Sequence, residues 1–290
     1  MSRSVSLIFG VIFGWAAGTL GHGQNQKPFT VISWNIKFLP RILAHIGHKP
    51  LKRVQPIAAH LLADSADVLV LQEAFDNVAN RRLLKALRPL YPYHVGPANK
   101  KGAFKISSGI LIVSRYPLKE LGTVDFRSCE KEDCWARKGG LLVELSWQGR
   151  RIQVLGTHLE AGGGREIKME QYGELAGLVQ KFRENGVPQL LCGDFNTRKT
   201  DDYLYPRMLQ TLEAEDGPLS GDLQYTSDHL LNDMSTYRPE DREVIDFIFY
   251  KGNGLTPSFI RRSVLRYTHR WQKGHQDLSD HFGVKAVIGF

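Results

Sequence analysis

Seven short apolar runs are spaced along the chain with turn residues between them, and they leave few folds open to it. They are FTVISW (29–34), DVLVLQE (67–73), SGILIVS (108–114), GLLVELSW (140–147), RIQVLGTHL (151–159), PQLLCGD (188–194) and VIDFIFY (244–250). All are rich in β-branched and aromatic residues and bounded by Gly, Pro or Asp, so they read as strands. The stretch SWQGRRIQV predicts a hairpin with its turn at Gln148–Gly149. Gly193 is expected to break the strand that precedes it. Between the strands, Val54, Ile57, Ala58, Leu61 and Leu62 keep the i, i+3, i+4 spacing of a helix, as do 81–87 and 169–182. Strands apolar on both faces need helices outside them, which predicts a layered α/β sandwich. No repeat, low-complexity tract or Pro/Ser-rich linker interrupts the pattern. We therefore expect one domain, residues 24–290, of about 265 residues.

The first residues read differently. Arg3 is followed by an uncharged apolar or small run from Val5 to Leu20, and then abruptly by His22, Gln24, Asn25, Gln26 and Lys27. The run is short for a membrane span, and Gly21 and Gly23 offer small residues for cleavage. Residues 1–23 are expected to be a signal peptide, with a secreted or periplasmic product. An uncleaved N-terminal membrane anchor is the alternative. The formal charge of +8 favours anionic partners, whether phosphates, nucleic acid or acidic membrane surfaces. Of the three cysteines, Cys129 and Cys134 lie in the polar loop RSCEKEDCW, where an exported protein can close a small disulfide loop. Cys192 sits in an apolar run and reads as an inert core thiol. No second ligand pair follows at zinc-finger spacing, which argues against zinc.

Polar residues recur where the strands end. Asn35, Glu73, His158, Asp194 and Asn196 each follow or close an apolar run, Asp246 lies in VIDFIFY, and LSDHFGV supplies Asp280 and His281. Any one has an ordinary explanation: Asn35 could cap a turn, Glu73 could pair with a lysine, His158 could be a satisfied core histidine. Together they suggest one rim carrying one site.

The set SWNIKF, LQEAF, GTHLE, CGDFNT, IDFIF and SDHFG resembles, in order, the motifs of the endonuclease/exonuclease/phosphatase superfamily, across about residues 29–288. The resemblance implies a four-layered α/β/β/α sandwich, with two central, mostly antiparallel sheets flanked by helices. It also implies Mg²⁺-dependent hydrolysis of phosphodiesters or phosphomonoesters. Within the superfamily, LQEAFDN (71–77), LYPYHVGP (90–97), SSGILIVSRYPL (107–118) and IKMEQYGEL (167–175) are similar to secreted bacterial sphingomyelinases.

On that resemblance each residue acquires a role. Glu73 is the expected ligand of Mg²⁺, a hard cation that keeps several waters and needs few protein ligands. Other divalent cations such as Mn²⁺ would suit the same oxygens. Asn35 would help to hold a metal or phosphate oxygen, and Asp280 would be a further metal ligand or a support for the base. His281 is the candidate general base, because imidazole titrates near neutrality. Asp246 would fix its tautomer. His158 would donate to a developing negative oxygen. Asp194 would orient water or stabilise a cation, and Asn196, two residues on in an extended segment, would donate to phosphate on the same side.

The substrate is less constrained. Residues 254–276 hold no acid but carry Arg261, Arg262, Arg266, His269, Arg270, Trp271, Lys273 and His275 just before SDHFG. Arg266, Arg270, Trp271 and Lys273 are expected to border the cleft and meet a lipid headgroup or nucleic-acid surface. The matching region of secreted sphingomyelinases is longer and has more exposed aromatics, so lipid contact here would be more electrostatic. Phe75, Tyr91, Tyr93 and Trp135 are candidates for an aromatic cage around a choline group, or else core aromatics. The expectation is a monomeric exported phosphodiesterase acting on a phospholipid at a membrane surface. A secreted nuclease or a phosphatase of soluble esters is the alternative, and a non-catalytic module binding anionic ligands comes third.

Overall fold

The computed structural model describes residues 27–40, 48–99, 106–235 and 240–290. The expected signal peptide, 1–23, lies outside them. No helix among the described residues is long and apolar enough to cross a membrane.

Two sheets form the centre. One has seven strands, in the order Tyr93–Val95, Leu111–Ser114, Val68–Ala74, Phe29–Phe38, Gly283–Gly289, Phe259–Leu265 and Leu219–Ser220. The other has five: Asp246–Lys251, Gln189–Asp194, Arg150–His158, Gly139–Trp147 and Lys119–Asp125. Four longer helices accompany them: α1 (Pro50–Asp64), α2 (Asn77–Leu87), α3 (Arg165–Lys181) and α4 (Leu204–Leu212).

Alternating side chains sort the apolar residues into three layers of core. Phe29, Val31, Val68 and Val70 of the larger sheet meet Val143, Val154, Leu190 and Cys192 of the smaller one. Their neighbours Ile32, Trp34, Leu69 and Leu71 face outward, onto Val54, Ile57 and Leu61 of α1 and Leu83 and Leu87 of α2. On the far side Leu155, Leu191, Phe247 and Phe249 are covered by Tyr172, Leu175 and Val179 of α3 and Met208 and Leu212 of α4. The result is the expected α/β/β/α sandwich, with most strand pairs antiparallel.

The parallel pairs matter most, because they bring strand ends together. Parallel neighbours need a crossover connection. Helix α1 lies between Phe29–Phe38 and Val68–Ala74, whose register sets Asn35 opposite Gln72, so that Glu73 follows at the same end. Helix α3 lies between Arg150–His158 and Gln189–Asp194, with His158 opposite Asp194. Asp246 opens an antiparallel strand and also faces Asp194.

The Gln148–Gly149 hairpin turn forms as expected, with both residues at positive φ and Trp147 opposite Arg150. Two local readings need correction. Gly193 does not break its strand, which runs to Asp194. A Cβ at Gly193 would collide with the carbonyl oxygen of Thr157, so glycine is what lets the two parallel strands approach there. Asn196 is not extended but left-handed, at φ 46. Cys129 and Cys134 are disulfide-bonded, and Cys192 is a buried free thiol.

Candidate active site

The strand ends open into a cleft of about 610 Å³ lined by Glu73, Asp194, Asn196, His158, Asp280 and His281 among others. A continuous chain of contacts crosses its floor. The Asn35 amide nitrogen donates to Glu73 Oε1 at 2.9 Å and to Asp194 Oδ2 at 3.1 Å. Asp194 Oδ2 lies 3.7 Å from His281 Nε2 and 3.5 Å from His158 Nε2. His281 Nδ1 pairs with Asp246 Oδ2 at 2.9 Å. Residues from Asn35 to His281 therefore meet on one rim.

The backbone is held hard at these points. Lys37, Glu73 and Asn196 all sit at positive φ, between 46 and 54, a conformation that costs a non-glycine residue about 1–2 kcal/mol. Local hydrogen bonds hold it: Asp194 Oδ1 accepts from the Asn196 N–H at 3.0 Å, and the Asn196 amide donates to the Leu159 carbonyl at 3.0 Å. Asn35 Oδ1 accepts from the Lys37 N–H at 3.1 Å. With its oxygen so engaged, Asn35 acts here as a tie between two carboxylates.

Burial sets the charges. Burial and the neighbouring Asp246 push Asp194 up to about 7, against the pull of His281, Lys138 and the Asn35 amide. Burial disfavours the His281 cation, but the carboxylates of Asp246 and Asp194 outweigh it and hold the imidazole pKa well above its usual range. His158 is the reverse: burial and the Lys138 ammonium keep it neutral, well below the usual range. Asp280 is partly buried, yet His281 and Lys37 bring its pKa down, and it is ion-paired with Lys37.

The donor set fits a divalent cation. Asp194, Asp246 and His281 place one ligand atom each within 4.8 Å of one another, and Glu73 is joined to them through Asn35. Asp246 Oδ1 is buried with no hydrogen-bond partner. Packed carboxylates with an unused oxygen are what a hard cation compensates. This trio differs from the expected set of Glu73, Asn35 and Asp280. Within it the Asp246–His281 hydrogen bond already occupies one nitrogen, while Glu73 is only partly buried and faces the cleft.

Lys138 escaped the sequence reading. It is buried, 3.2 Å from His158 Nε2, and also bonds Asp133 and the Leu159 carbonyl. A lysine only donates, so Nε2 accepts, and the positive charge beside this part of the cleft belongs to Lys138. Lys168, likewise buried and pushed down to about 8, ties the carbonyls of Glu160 and Asn196 together. Ser279 Oγ donates to the Asn35 carbonyl at 2.6 Å. The one available signal was a lysine set immediately before the apolar run that opens at Gly139–Gly140.

The basic segment 254–276 does not border the cleft. No residue of it lines the cavity. Trp271 is buried, its indole N–H donating to the Asp277 carbonyl at 2.8 Å, and it packs on the guanidinium of Arg53. Arg266 is paired with Asp277 at 2.8 Å and with the Leu231 carbonyl. Arg270 and Lys273 are exposed, on a hairpin (268–277) docked to α1 through His60 and Thr268. A nearby acid, a carbonyl and the Arg53 guanidinium supply Arg266 and Trp271 with partners inside the fold. Tyr91 is buried in the core and Tyr93 lies outside the cleft, so the four aromatics do not form a cage; Phe75 and Trp135 line the cleft.

Comparison with known proteins bears on the family and the fold. Residues 32–281 match the model of the Endonuclease/Exonuclease/phosphatase family. A Sphingomyelinase C of Bacillus cereus is 28% identical over 98% of this chain and 96% of its own. The crystal structure of beta toxin 275-280 from Staphylococcus aureus superposes with a TM-score of 0.81 at 25% identity, covering 89% of this chain and 99% of that one. A doubly substituted mutant of the same toxin, solved with bound magnesium ions, gives a TM-score of 0.80 at 24% identity, over 90% of this chain and 99% of that one.

Proposed function

The chain belongs to the Endonuclease/Exonuclease/phosphatase family and is a phosphoric ester hydrolase, and from that premise we propose that it is an exported, Mg²⁺-dependent phosphodiesterase that cleaves a phospholipid headgroup as a sphingomyelinase does. The observation that carries the reading is the unbroken run Glu73–Asn35–Asp194–His281–Asp246 on one rim. The domain would span 24–290 and act as a monomer on lipid at a membrane surface.

Glu73 and Asp194 would hold the cation, with Asp280 near by. When bound, Mg²⁺ polarises a non-bridging phosphate oxygen and offsets charge on the leaving oxygen. Asp246 accepts from His281 Nδ1–H, which leaves Nε2 to take a proton from water. The hydroxide attacks phosphorus, the P–O bond to the lipid alkoxide breaks, and the alkoxide regains a proton as the alcohol. The products are a phosphorylated headgroup and a ceramide-like lipid. Asn196 would support a phosphate oxygen, where a fixed donor is worth about 10²–10³ in rate, while His158, whose Nε2 accepts from Lys138, does not donate there as the sequence suggested. The Asp246 and Asp194 carboxylates raise the His281 pKa, and a cation held by Asp194 would offset part of their charge.

The test is a substrate panel. Purified mature protein with Mg²⁺ is expected to release phosphocholine from sphingomyelin vesicles, and EDTA is expected to stop it. Cleavage of DNA or of soluble phosphomonoesters without lipid turnover would overturn this reading in favour of a nuclease or phosphatase.

A further inference from the structure

We propose that Trp135, mounted on the disulfide-closed turn at the cleft mouth, is the residue that seats this protein on a lipid surface. The inference rests on the phospholipase reading above and adds to it the part of the molecule that meets the bilayer.

Trp135 is 61% exposed, the most exposed large hydrophobic residue among those described. It also lines the cleft, which the other exposed large hydrophobics, Leu51, Tyr93, Tyr203, Leu230, Leu231 and Phe259, do not. The cleft lining includes the apolar Leu39, Pro40, Phe75 and Ile106, the last bonded to the Trp135 carbonyl, as well as Glu73, Asp194 and the two histidines. A cavity lined by both polar and apolar side chains matches an amphiphile with a phosphate and a hydrocarbon part.

The indole is exposed by construction. The turn Lys131–Trp135 is closed by the Cys129–Cys134 bond. Asp133 pins it, accepting from the Ala161 N–H at 2.7 Å and from Lys138 Nζ at 2.8 Å. The Ile106 N–H donates to the Trp135 carbonyl at 3.1 Å. A loop fixed at three points holds the ring out with little entropy left to lose on contact. Tryptophan suits the interface between water and hydrocarbon, since its ring is apolar and its N–H wants a polar partner. Arg127 and Lys131, close to it in sequence, have side chains 90% and 75% exposed although each is within 3.4 Å of a glutamate, Glu174 and Glu130, and exposed cations favour an anionic headgroup surface. A protein partner would need roughly 1,000 Å² of complementary surface, and a lone aromatic on a polar rim does not offer it. The hairpin 268–277 is no rival, because its tryptophan is buried.

Of the five tryptophans, Trp15 precedes the mature chain on the reading above, and Trp34, Trp147 and Trp271 are buried. Vesicles of sphingomyelin and brominated phosphatidylcholine, without Mg²⁺, should therefore quench the mature protein through Trp135 alone. The expected results are quenching in wild type, none in vesicle-bound Trp135→Phe, and sedimentation with vesicles weakened about tenfold or more in Trp135→Ala. Phe259→Ala, an exposed aromatic away from the cleft, should bind as wild type. Equal quenching in Trp135→Phe, wild-type binding by Trp135→Ala, or no sedimentation of wild type would overturn the proposal. Hydrolysis of soluble p-nitrophenyl phosphocholine by wild type reports separately on the function. If wild type cleaves that ester yet fails to sediment, this inference falls and the phosphodiesterase reading stands.

Discussion

Two places in this molecule bury charge, and they treat it in opposite ways. Arg53 of α1 is entirely buried, and each of its three guanidinium nitrogens donates to a carbonyl: His48, Ile36, Leu278 and Lys37 accept. Beneath the cleft floor, Asp246 Oδ1 and His158 Nδ1 are buried with no partner, and Asp194 is raised to about 7. Buried polar groups are normally satisfied. The first cluster is structure, holding the Asn35 strand end to the loop that carries His281. The second leaves hydrogen-bonding capacity unused next to the cleft, and packed carboxylates with an unused oxygen are what a cation compensates. In the basic segment 254–276, Arg262 and Arg266 likewise spend donors inside the fold.

If the contrast is right, the two clusters fail differently when cut. His281→Ala should lower phosphodiester hydrolysis by at least about 10³, and Asp246→Asn by about 10²–10⁴, while thermal unfolding followed by circular dichroism shows both variants still folded. Arg53→Met should do the converse. Leaving several buried carbonyls without donors should cost about 3 kcal/mol or more, read as a lower urea midpoint. Any activity lost with it should recover little in Arg53→Lys, because an ammonium cannot reach all four acceptors.

A smaller effect sharpens the boundary between the clusters. Glu160 is raised to about 7 by burial and by the adjoining Asp133. A carboxyl whose folded pKa lies above its unfolded value of 4.5 contributes stability below pH 4.5, and that contribution disappears as pH rises through 7. Glu160→Gln should therefore raise the melting temperature at pH 8 relative to wild type and change it less at pH 5.

Much of this could be read in the chain and some could not. Seven of the strands, helices α1, α2 and α3 and the gathering of Asn35, Glu73, His158, Asp194, Asp246 and His281 followed from apolar runs with polar ends, because period and punctuation are local properties. The strands Lys119–Asp125, Phe259–Leu265 and Gly283–Gly289 and helix α4 were not read. The left-handed backbone at Glu73 and Asn196 was not legible, since nothing in either residue type demands it and only the surrounding hydrogen bonds hold it. Trp271 misled for a related reason. Its neighbours in sequence are cations, which suggests a surface, but its neighbours in space are Arg53 and the Asp277 carbonyl. Lys138 was hidden because a lysine in a loop is ordinarily solvated, and here Asp133 and His158 come to it from other segments.

The central claim is that Glu73 and His281 serve one reaction. It is tested most directly by kcat/KM for a choline phosphodiester at saturating Mg²⁺ with Glu73→Gln, His281→Ala and the double variant. Residues that act as a unit lose little more together than singly, so the double variant should fall to about the level of the weaker single one. Losses that simply multiply would mean the two side chains act independently, and the account would be wrong.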